Sequence, residues 1–152
     1  MTHVVHPYSH RLGIIRDWKS RWFRVGENYR KALKTDILIR EYLDKKLRGM
    51  YVSAVEIERS RKSIHIMIKT SRPGLIIGRS GEGSQKLRNE ITAMLRRWKV
   101  ETTDDLKLDI LEVRSPESNA AIVGQMIAEG LEKRLAFRRV IKQTVEKVMA
   151  NK

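Results

Sequence analysis

The spacing of apolar residues along the chain predicts a series of amphipathic helices and strands. The first strong pattern recurs every four residues, as one buried face of a helix requires, and it predicts a helix over residues 36–47. Either Thr35 or Asp36 would cap the start of this helix, and Gly49 is a natural stop. The residues that define the buried face are Ile39, Leu43 and Leu47.

Two runs of alternating apolar and polar residues follow, and they predict an antiparallel hairpin with one covered face. The runs occupy residues 52–58 and 64–69, and the segment 60–63 would turn the chain between them. His65 falls on the polar side of the second run and is predicted to be exposed. A third alternating run predicts another strand over residues 106–110.

Between the second and third predicted strands, the sequence predicts a short helical turn, a glycine loop and a longer helix. The Arg-Pro-Gly segment at residues 72–74 ends the strand, and residues 75–77 fit one helical turn because proline and glycine suit its start. The loop at residues 78–81 opens a helix whose basic residues fall largely off its apolar face. That face consists of Leu87, Ile91, Leu95 and Trp98, and the basic residues are Arg88, Arg96 and Arg97.

The segment Ser-Pro-Glu at residues 115–117 is the best candidate for a domain boundary. Apolar spacing beyond it predicts two further helices and no further strand. The first helix is marked by Val123, Ile127 and Leu131, and the second by Val140 or Ile141, Val145, and Val148 or Met149.

The charge of the chain predicts a polyanionic partner. Its 32 lysines and arginines exceed its 18 aspartates and glutamates, which gives a net charge of +14, and self-repulsion of this size opposes folding unless a partner offsets it. The excess is spread over the chain, with +7 in residues 1–48, +4 in residues 49–116 and +3 in residues 117–152. No apolar run approaches the length of a membrane span and no signal peptide is recognisable, so nucleic acid is favoured over a membrane.

The absence of cysteine excludes a disulfide framework and cysteine-ligated zinc, and it fits a cytoplasmic protein. His3, His6 and His10 near the start could form a metal site, but nearby carboxylate ligands are missing. Solvated or RNA-facing histidines are therefore favoured, and no metal or cofactor is expected.

The loop formed by Gly78, Arg79, Ser80 and Gly81 is the motif that carries function. A bare Gly-x-x-Gly is a weak signal, but here it follows a hairpin and a short helical turn and opens an amphipathic helix, which is how a KH domain clamps a nucleotide backbone. Glycines allow backbone amides to approach phosphate closely. A simple tight turn between helices is the less favoured alternative. A nucleotide-binding loop is disfavoured because the Gly-Lys-Ser/Thr ending is missing and Glu82 would repel a triphosphate.

Aromatic and basic residues are interleaved near the start of the chain. Trp18, Trp22 and Phe23 alternate with arginines and lysines, a mixture that suits base stacking combined with phosphate contact. Trp22 and Phe23 could equally be anchors of the core. Both interpretations stay open at this stage.

An enzymatic function finds little support in the sequence. The paired carboxylates Asp104 with Asp105 and Glu56 with Glu58 have no metal partner or nucleophile nearby in sequence, so they are expected to be solvated surface charges. We therefore expect a binding protein that performs no chemical step.

Taken in order along the chain, short segments make the sequence similar to one known family. It resembles the third protein family of the bacterial small ribosomal subunit, ribosomal protein S-three. Single motifs of this kind are common, but the ordered series is specific. The matching segments are His6-Pro7 with residues 11–14, Trp22-Phe23, Asp36 with Ile39-Arg40, residues 57–59, residues 72–74, residues 77–81, residues 112–114 with Pro116, and residues 137–139.

The resemblance implies an α+β protein with a type II KH domain and a role in the small ribosomal subunit. It implies a place on the head of the subunit, contact with ribosomal RNA, and ribosomal proteins ten and fourteen as neighbours. In that family, basic residues of the second domain line the channel through which messenger RNA enters. The matching positions are Arg138, Arg139 and Lys142, which would otherwise form an ordinary solvated helix face. Further ribosomal RNA contacts are predicted at His6, Arg11, Lys19, Arg21, Trp22, Arg72 and Arg88.

Two features depart from the family pattern. The loop commonly holds two basic residues, whereas the second is Ser80 here, which would weaken its attraction for phosphate. The second domain commonly continues into a small sheet that is missing here, so truncation, a split chain or a reduced domain are the alternatives. The predicted division is a basic arm over residues 1–27, a KH domain over residues 28–115 and a helical region over residues 116–152.

The sequence therefore predicts a structural constituent of the small ribosomal subunit in the cytoplasm, which binds ribosomal and messenger RNA and is not a homo-oligomer. The alternatives are a free KH-type RNA-binding regulator or an assembly factor. An RNA-processing enzyme is a third class that the missing catalytic motifs count against.

Overall fold

A computed structural model of the chain describes residues 4–60, 63–98 and 105–151, and it shows one mixed sheet with helices packed on one face. The predicted order of helix, hairpin, short helix, loop, helix and strand, followed by two helices, is confirmed. Arg61 and Lys62 of the predicted turn, and Asp104, lie outside the described residues. The elements are β1 (Ser20–Arg21), α1 (Glu27–Lys46), β2 (Val52–Arg59), β3 (Ser63–Thr70), α2 (Pro73–Ile77), α3 (Glu82–Arg97), β4 (Asp105–Glu112), α4 (Ala120–Glu132) and α5 (Phe137–Ala150).

The four strands lie in the order β1-β2-β3-β4, so the sheet follows the order of the chain. β2 and β3 are antiparallel, as predicted, whereas β1 pairs in parallel with β2 and β4 in parallel with β3. A register shift between Val52 and Ala54 brings Val55 to the covered face, where Ile57 follows it. Because the bulge interrupts strict alternation, the sequence pattern alone does not show whether Ala54 or Val55 faces the core.

The core lies between the sheet and helices α1 and α3. The alternating isoleucines of β3 point into it, and so do the predicted faces of both helices. Trp98 is an exception to the predicted face of α3, because it follows the last helical turn and is 53% exposed. The most deeply buried side chains are Ile39, Leu43, Ile57, Ile66, Ile68 and Ile91.

The predicted start of the first helix is wrong. α1 begins at Glu27, directly after Gly26, whose positive φ of 60° ends the preceding segment. Asp36 is therefore no cap and lies in the middle of α1, where its carboxylate is buried and bonded to the guanidinium of Arg59 at 2.7 Å. A buried carboxylate without a partner would be strongly destabilising at this position. The ion pair with Arg59, which is distant in sequence, therefore explains why Asp36 lies inside the helix, and local helix-capping preference does not.

The predicted N-terminal arm takes part in the sheet through β1, a strand that the sequence pattern did not reveal. Arg40 of α1 fixes this strand by donating hydrogen bonds to the carbonyl oxygens of Val55 (2.6 Å) and Lys19 (2.8 Å) and to the hydroxyl of Ser20 (2.9 Å). A two-residue strand has too few residues to show a period, and long-range contacts of this kind are not readable from sequence spacing. The division of the chain at residue 27 stays a prediction.

The carboxylates of β2 are paired, which corrects the expectation of solvated surface charges. Glu56 is only 14% exposed and forms ion pairs with Arg21 (3.2 Å) and Lys69. Glu58 lies 2.6 Å from Arg21. His65 is half-buried, since its ring contacts Asp109 at 2.6 Å. Parallel and antiparallel neighbours in the sheet bring these charges together across strands.

Helices α1 and α3 are joined by a polar contact beside the core. The Tyr42 hydroxyl donates to Glu90 at 2.5 Å, and Lys46 forms an ion pair with the same carboxylate at 3.2 Å. Burial, together with the neighbouring carboxylate, raises the pKa of Tyr42 to about 12. The hydrogen bond from Tyr42 lowers the pKa of Glu90, so the pair favours the ionised carboxylate.

Helix α4 is anchored to the start of β2. Asn119 caps it by accepting hydrogen bonds from the amides of Ala121 and Ile122, and the Asn119 amide donates to the Ser53 hydroxyl at 2.7 Å. Gln125 donates to the carbonyl oxygen of Val52 at 3.0 Å. The buried face is rotated from the predicted one, because Ile122 is the fully buried residue of α4.

Helix α5 packs against α4 and leaves much of its apolar side exposed. Val140 is buried against Gly130, where any larger side chain would contact the methyl groups of Val140. Several residues of the predicted apolar faces are exposed, namely Leu131, Ile141, Val145 and Met149. Within the described ranges, no helix combines the length and apolar character that crossing a membrane requires.

We predict that Asp36→Asn lowers the free energy of unfolding by about 3 kcal/mol, because it leaves the Arg59 guanidinium buried without its counter-charge. The matched control is Asp44→Asn, which changes an exposed carboxylate of the same helix. It should change stability by less than about 0.5 kcal/mol. Urea denaturation followed by circular dichroism measures both variants. Equal stabilities of the two variants would contradict a structural role for the pair.

Candidate nucleic-acid interface

The loop between α2 and α3 has the backbone conformation that its glycines allow. Gly78 ends α2 with φ 70°, and Gly81 precedes α3 with φ 81°, a left-handed conformation that side chains disfavour. Ser80 also has positive φ (54°). The alternation of these conformations turns the chain sharply, so that Arg79 and Ser80 lie at the tip and are exposed.

A third glycine, Gly83, makes the close approach of the two helices possible. A Cβ atom at this position would lie 2.5 Å from the carbonyl oxygen of Ile76 and 2.9 Å from that of Ile77. Both contacts are with backbone, which has little freedom to move. Gly83 therefore belongs to the site, although it was not among the residues predicted from the sequence. The feature that could have identified it is its place in the first turn of the helix after the loop.

The tip of the loop combines the groups that bind a phosphate. α3 is 16 residues long, and in the described structure no side chain caps its N-terminus, since Gly81 occupies the capping position. The amide of Glu82, the first of α3, donates to the carbonyl oxygen of Arg79, and the amides that follow lie at the positive end of the helix dipole. Arg79 adds a positive charge and Ser80 a hydroxyl donor, so the loop can hold an anionic backbone by charge and hydrogen bonds together.

Exposed apolar and basic side chains adjoin the loop. Leu75 and Ile77 of α2 are exposed, as a surface for unstacked bases requires. Arg72 lies at the start of α2, with its guanidinium 4.3 Å from the ring centre of the buried Tyr51. Arg88 is exposed on α3. The structure thus brings the loop, Arg72 and Arg88 onto neighbouring elements.

The two interpretations of the glycine loop are compatible. The close contact between Gly83 and Ile76 shows that the loop is a tight turn between two helices, as the less favoured interpretation predicts. That turn also exposes Arg79 and Ser80, which contribute nothing to the contact. A turn alone would not require an exposed arginine at its tip, so the geometry favours the binding function.

The basic arm is held by contacts within the protein. Trp22 is half-buried, and its indole nitrogen donates to Asp36 at 2.7 Å, which favours its role as an anchor, whereas Phe23 is exposed. Arg21 is engaged by Glu58 and Asp17, and its pKa is raised mainly by the hydrogen bond to Glu58. The positive charge of Arg21 is therefore balanced inside the protein.

The remaining predicted residues of the arm lie at its surface. His6 is exposed, and its Nδ1 accepts a hydrogen bond from the amide of Tyr8 at 3.1 Å. Arg11 donates to the carbonyl oxygen of Pro7 at 2.9 Å. The ammonium of Lys19 lies 5.2 Å from the ring centre of Tyr8. His3 lies outside the described residues, and within the described ranges no three His, Asp or Glu side chains are grouped to hold a metal ion.

A separate basic surface lies on α5. Arg138, Arg139 and Lys142 are all exposed, and none has an ion-pair partner among the described residues. The guanidinium of Arg138 lies 5.7 Å from the ring centre of Phe137. α5 packs on α4 and on the turn at Pro116–Ser118, so this surface is built apart from the loop at residues 78–81.

Residues 38–118, which run from within α1 to the turn before α4, match the family model of the KH domain. This match includes the hairpin, the glycine loop and β4, and it covers more than half of the chain. The chain belongs to the KH domain family. KH domains clamp a nucleotide backbone at the glycine loop, which agrees with the exposed tip described above.

Individual relatives extend the similarity to nearly the whole chain. The chain is 44% identical over 149 residues to small ribosomal subunit protein uS3 of Parvibaculum lavamentivorans. It is 40% and 36% identical to the proteins of that name from Caldicellulosiruptor saccharolyticus and Akkermansia muciniphila. Each alignment covers 98% of this chain, whereas the chain spans between 60% and 64% of the length of these three relatives.

We predict that Gly83→Ala lowers the free energy of unfolding by about 1–3 kcal/mol, because the added methyl group must displace the backbone of α2. Gly74→Ala is the matched control, since nothing lies within 4 Å of its Cβ position. The control should keep or slightly raise stability, as alanine favours helix. Urea denaturation compares the two. A neutral effect of Gly83→Ala would show that the helices can separate without cost.

Proposed function

We propose that the chain is a structural constituent of the small ribosomal subunit that binds its ribosomal RNA through the KH loop. The observation that carries this proposal is the exposed pair Arg79 and Ser80, held by glycines at the uncapped N-terminus of α3. A net charge of +14 supplies the attraction for a polyanion. The similarity to proteins named uS3 supports the ribosomal role.

The protein acts by binding and needs no chemical step. Its place would be the ribosome in the cytoplasm, with ribosomal proteins ten and fourteen as neighbours. Like charges on a chain this basic oppose self-association, which favours a single copy bound to RNA.

Several surfaces would share the anchoring to ribosomal RNA. Arg72 and Arg88 extend the KH surface beyond the loop. His6, Arg11 and Lys19 are exposed on the arm and available for phosphate contact. Arg21 and Trp22 would contribute differently, since their polar groups are bonded to Glu58 and Asp36 and hold the arm against the sheet.

The basic surface of α5 would contact messenger RNA. Arg138 and Lys142 are one helical turn apart and share a face, and Arg139 is next to it. Contacts to phosphates carry no base information, as a channel for any message requires. In this proposal α5 contacts messenger RNA, whereas the other basic surfaces hold ribosomal RNA. The unpaired charges of these three residues support it.

We predict that the double substitution Arg79→Asp/Ser80→Asp weakens binding to small-subunit ribosomal RNA roughly tenfold or more, since it places two negative charges against phosphate. Aspartate tolerates the left-handed conformation of Ser80, so the fold should persist. Lys34→Asp/Gln143→Asp makes the same charge change at exposed positions of α1 and α5 and should cost much less. Filter binding at fixed salt and circular dichroism on the same samples measure both. Equal losses in the two variants would attribute binding to total charge.

We predict that replacing Arg138, Arg139 and Lys142 together with alanine slows translation through a stable messenger hairpin more than translation of an unstructured message. Alanine preserves the helix, and the anchoring surfaces remain, so incorporation into subunits should be nearly normal. Arg30, Lys34 and Lys45, all exposed on α1, form the control triple. Equal slowing on both messages would contradict the channel function. Failure to join the subunit would make the three residues part of the ribosomal RNA anchor.

A further inference from the structure

Tyr51 has a conformation that the sequence gives no reason to expect. It is 6% exposed and precedes β2 with φ 52°, the left-handed region that a bulky aromatic residue disfavours. Such a conformation persists only where surrounding contacts over-determine it, and it often marks a functional position.

The contacts of Tyr51 come from two different parts of the molecule. On one side, the Arg72 guanidinium lies 4.3 Å from the ring centre, within the range of a cation–π contact. On the other side, the tyrosine hydroxyl donates to the carboxylate of Glu129 in α4. Its carbonyl oxygen also accepts a hydrogen bond from the Ser71 amide at 3.3 Å.

The backbone of Arg72 is tied to the same segment. Its amide donates to the Thr70 hydroxyl at 3.1 Å, and that hydroxyl donates to the carbonyl oxygen of Met50 at 2.8 Å. Arg72 is therefore held at its backbone by Thr70 and at its guanidinium by the ring of Tyr51. Ordering a long arginine side chain in advance lowers the entropy lost when it binds a ligand.

The charge of Arg72 remains free to act on a ligand. The side chain is exposed, and no carboxylate among the described residues forms an ion pair with it. Arg72 lies at the N-terminus of α2 and Gly78 at its C-terminus. The two ends are about 9 Å apart along the helix axis. A KH loop contacts several successive nucleotides, so this spacing suits a neighbouring phosphate of the same strand.

We propose that Tyr51 is a positioning residue, which holds the Arg72 guanidinium for a phosphate of the RNA strand bound at the KH loop. Glu129 orients the Tyr51 ring through its hydroxyl, so the docking of α4 supports RNA binding at Arg72, which lies over the face of that ring. This inference rests on the proposed RNA-binding function, and it adds two residues that touch no RNA themselves. α4 thereby contributes to the KH surface as well as to the helical region.

We predict that Arg72→Gln and Tyr51→Leu each weaken binding of a single-stranded RNA oligonucleotide roughly threefold to tenfold. Each should also reduce the magnitude of the negative slope of log affinity against log salt by about 0.7, the value for one phosphate contact of a single strand. Tyr51→Phe keeps the ring but removes the hydroxyl that Glu129 holds, so it should weaken binding less than Tyr51→Leu and about as much as Glu129→Gln. Combining Tyr51→Leu with Arg72→Gln should weaken binding no further than either change alone, since both act through one contact.

Two further variants keep the test decisive if Tyr51→Leu does not fold. Arg72→Lys keeps the charge and loses the planar group that stacks on the ring, so it should keep the salt slope and make affinity insensitive to Glu129→Gln. The ring of Tyr51 should shift the NMR signals of the Arg72 side-chain protons upfield, because Arg72 lies over its face. Glu129→Gln alone, with Arg72 unchanged, should reduce this shift, because the ring is then less well oriented. Glu132→Gln is the control, because it makes the same charge change on the same helix and breaks the Arg48–Glu132 ion pair without touching Arg72.

The outcomes separate the inference from the proposed function. If the parent chain binds no RNA, the proposed function fails. If the parent binds RNA and the effects of Tyr51→Leu and Arg72→Gln are additive, or Tyr51→Leu leaves the salt slope unchanged, the inference fails alone. A loss with Glu132→Gln equal to that with Glu129→Gln would also overturn it, since general loosening of α4 would then explain both.

Discussion

The buried ion pair between Asp36 and Arg59 is the interaction on which the rest of the structure depends. The two side chains are only 4% and 6% exposed, so each would be strongly destabilising without the other. The Asp36 carboxylate also accepts hydrogen bonds from Trp22 and Ser20. One charged group therefore fixes α1 against β2 and ties the N-terminal segment to both. Apolar packing supplies most of the burial, but it is non-directional and would tolerate other alignments of α1.

A second constraint, the close approach of α2 and α3, shapes the glycine loop at residues 78–81. Without a side chain at Gly83, the backbone of α3 lies directly against the carbonyl oxygens of Ile76 and Ile77. This contact sets how sharply the chain turns between the helices, and so how far Arg79 projects. The loop is thus preorganised by packing beneath it, which would spare the entropy that a mobile loop loses in the RNA binding proposed for it.

Ion pairing determines which basic side chains on the surface keep an unbalanced positive charge. On the open face of the sheet, Arg21 and Lys69 are balanced by Glu56 and Glu58, so that face contributes little to the net charge. The loop and α5 keep exposed cations with no acidic partner in the described part of the chain. Basic residues are common throughout the sequence, but the structure decides which of them are available to phosphate. Arg21 and Arg79 are equivalent by residue type and differ by their neighbours.

The sequence by itself determined the order of elements, the covered faces of α1, β3 and α3, and the glycine loop, because these follow from local periodicity and from backbone freedom at Gly78 and Gly81. It did not determine the start of α1, the strand β1 or the faces of α4. Those features depend on partners far along the chain: Arg59 for Asp36, Val55 for Arg40, and Val52 for Gln125. The position of Tyr51 between Arg72 and Glu129 belongs to the same class. Local spacing encodes which face of a segment is apolar, whereas only tertiary structure decides which distant charge or hydrogen-bonding group that segment meets.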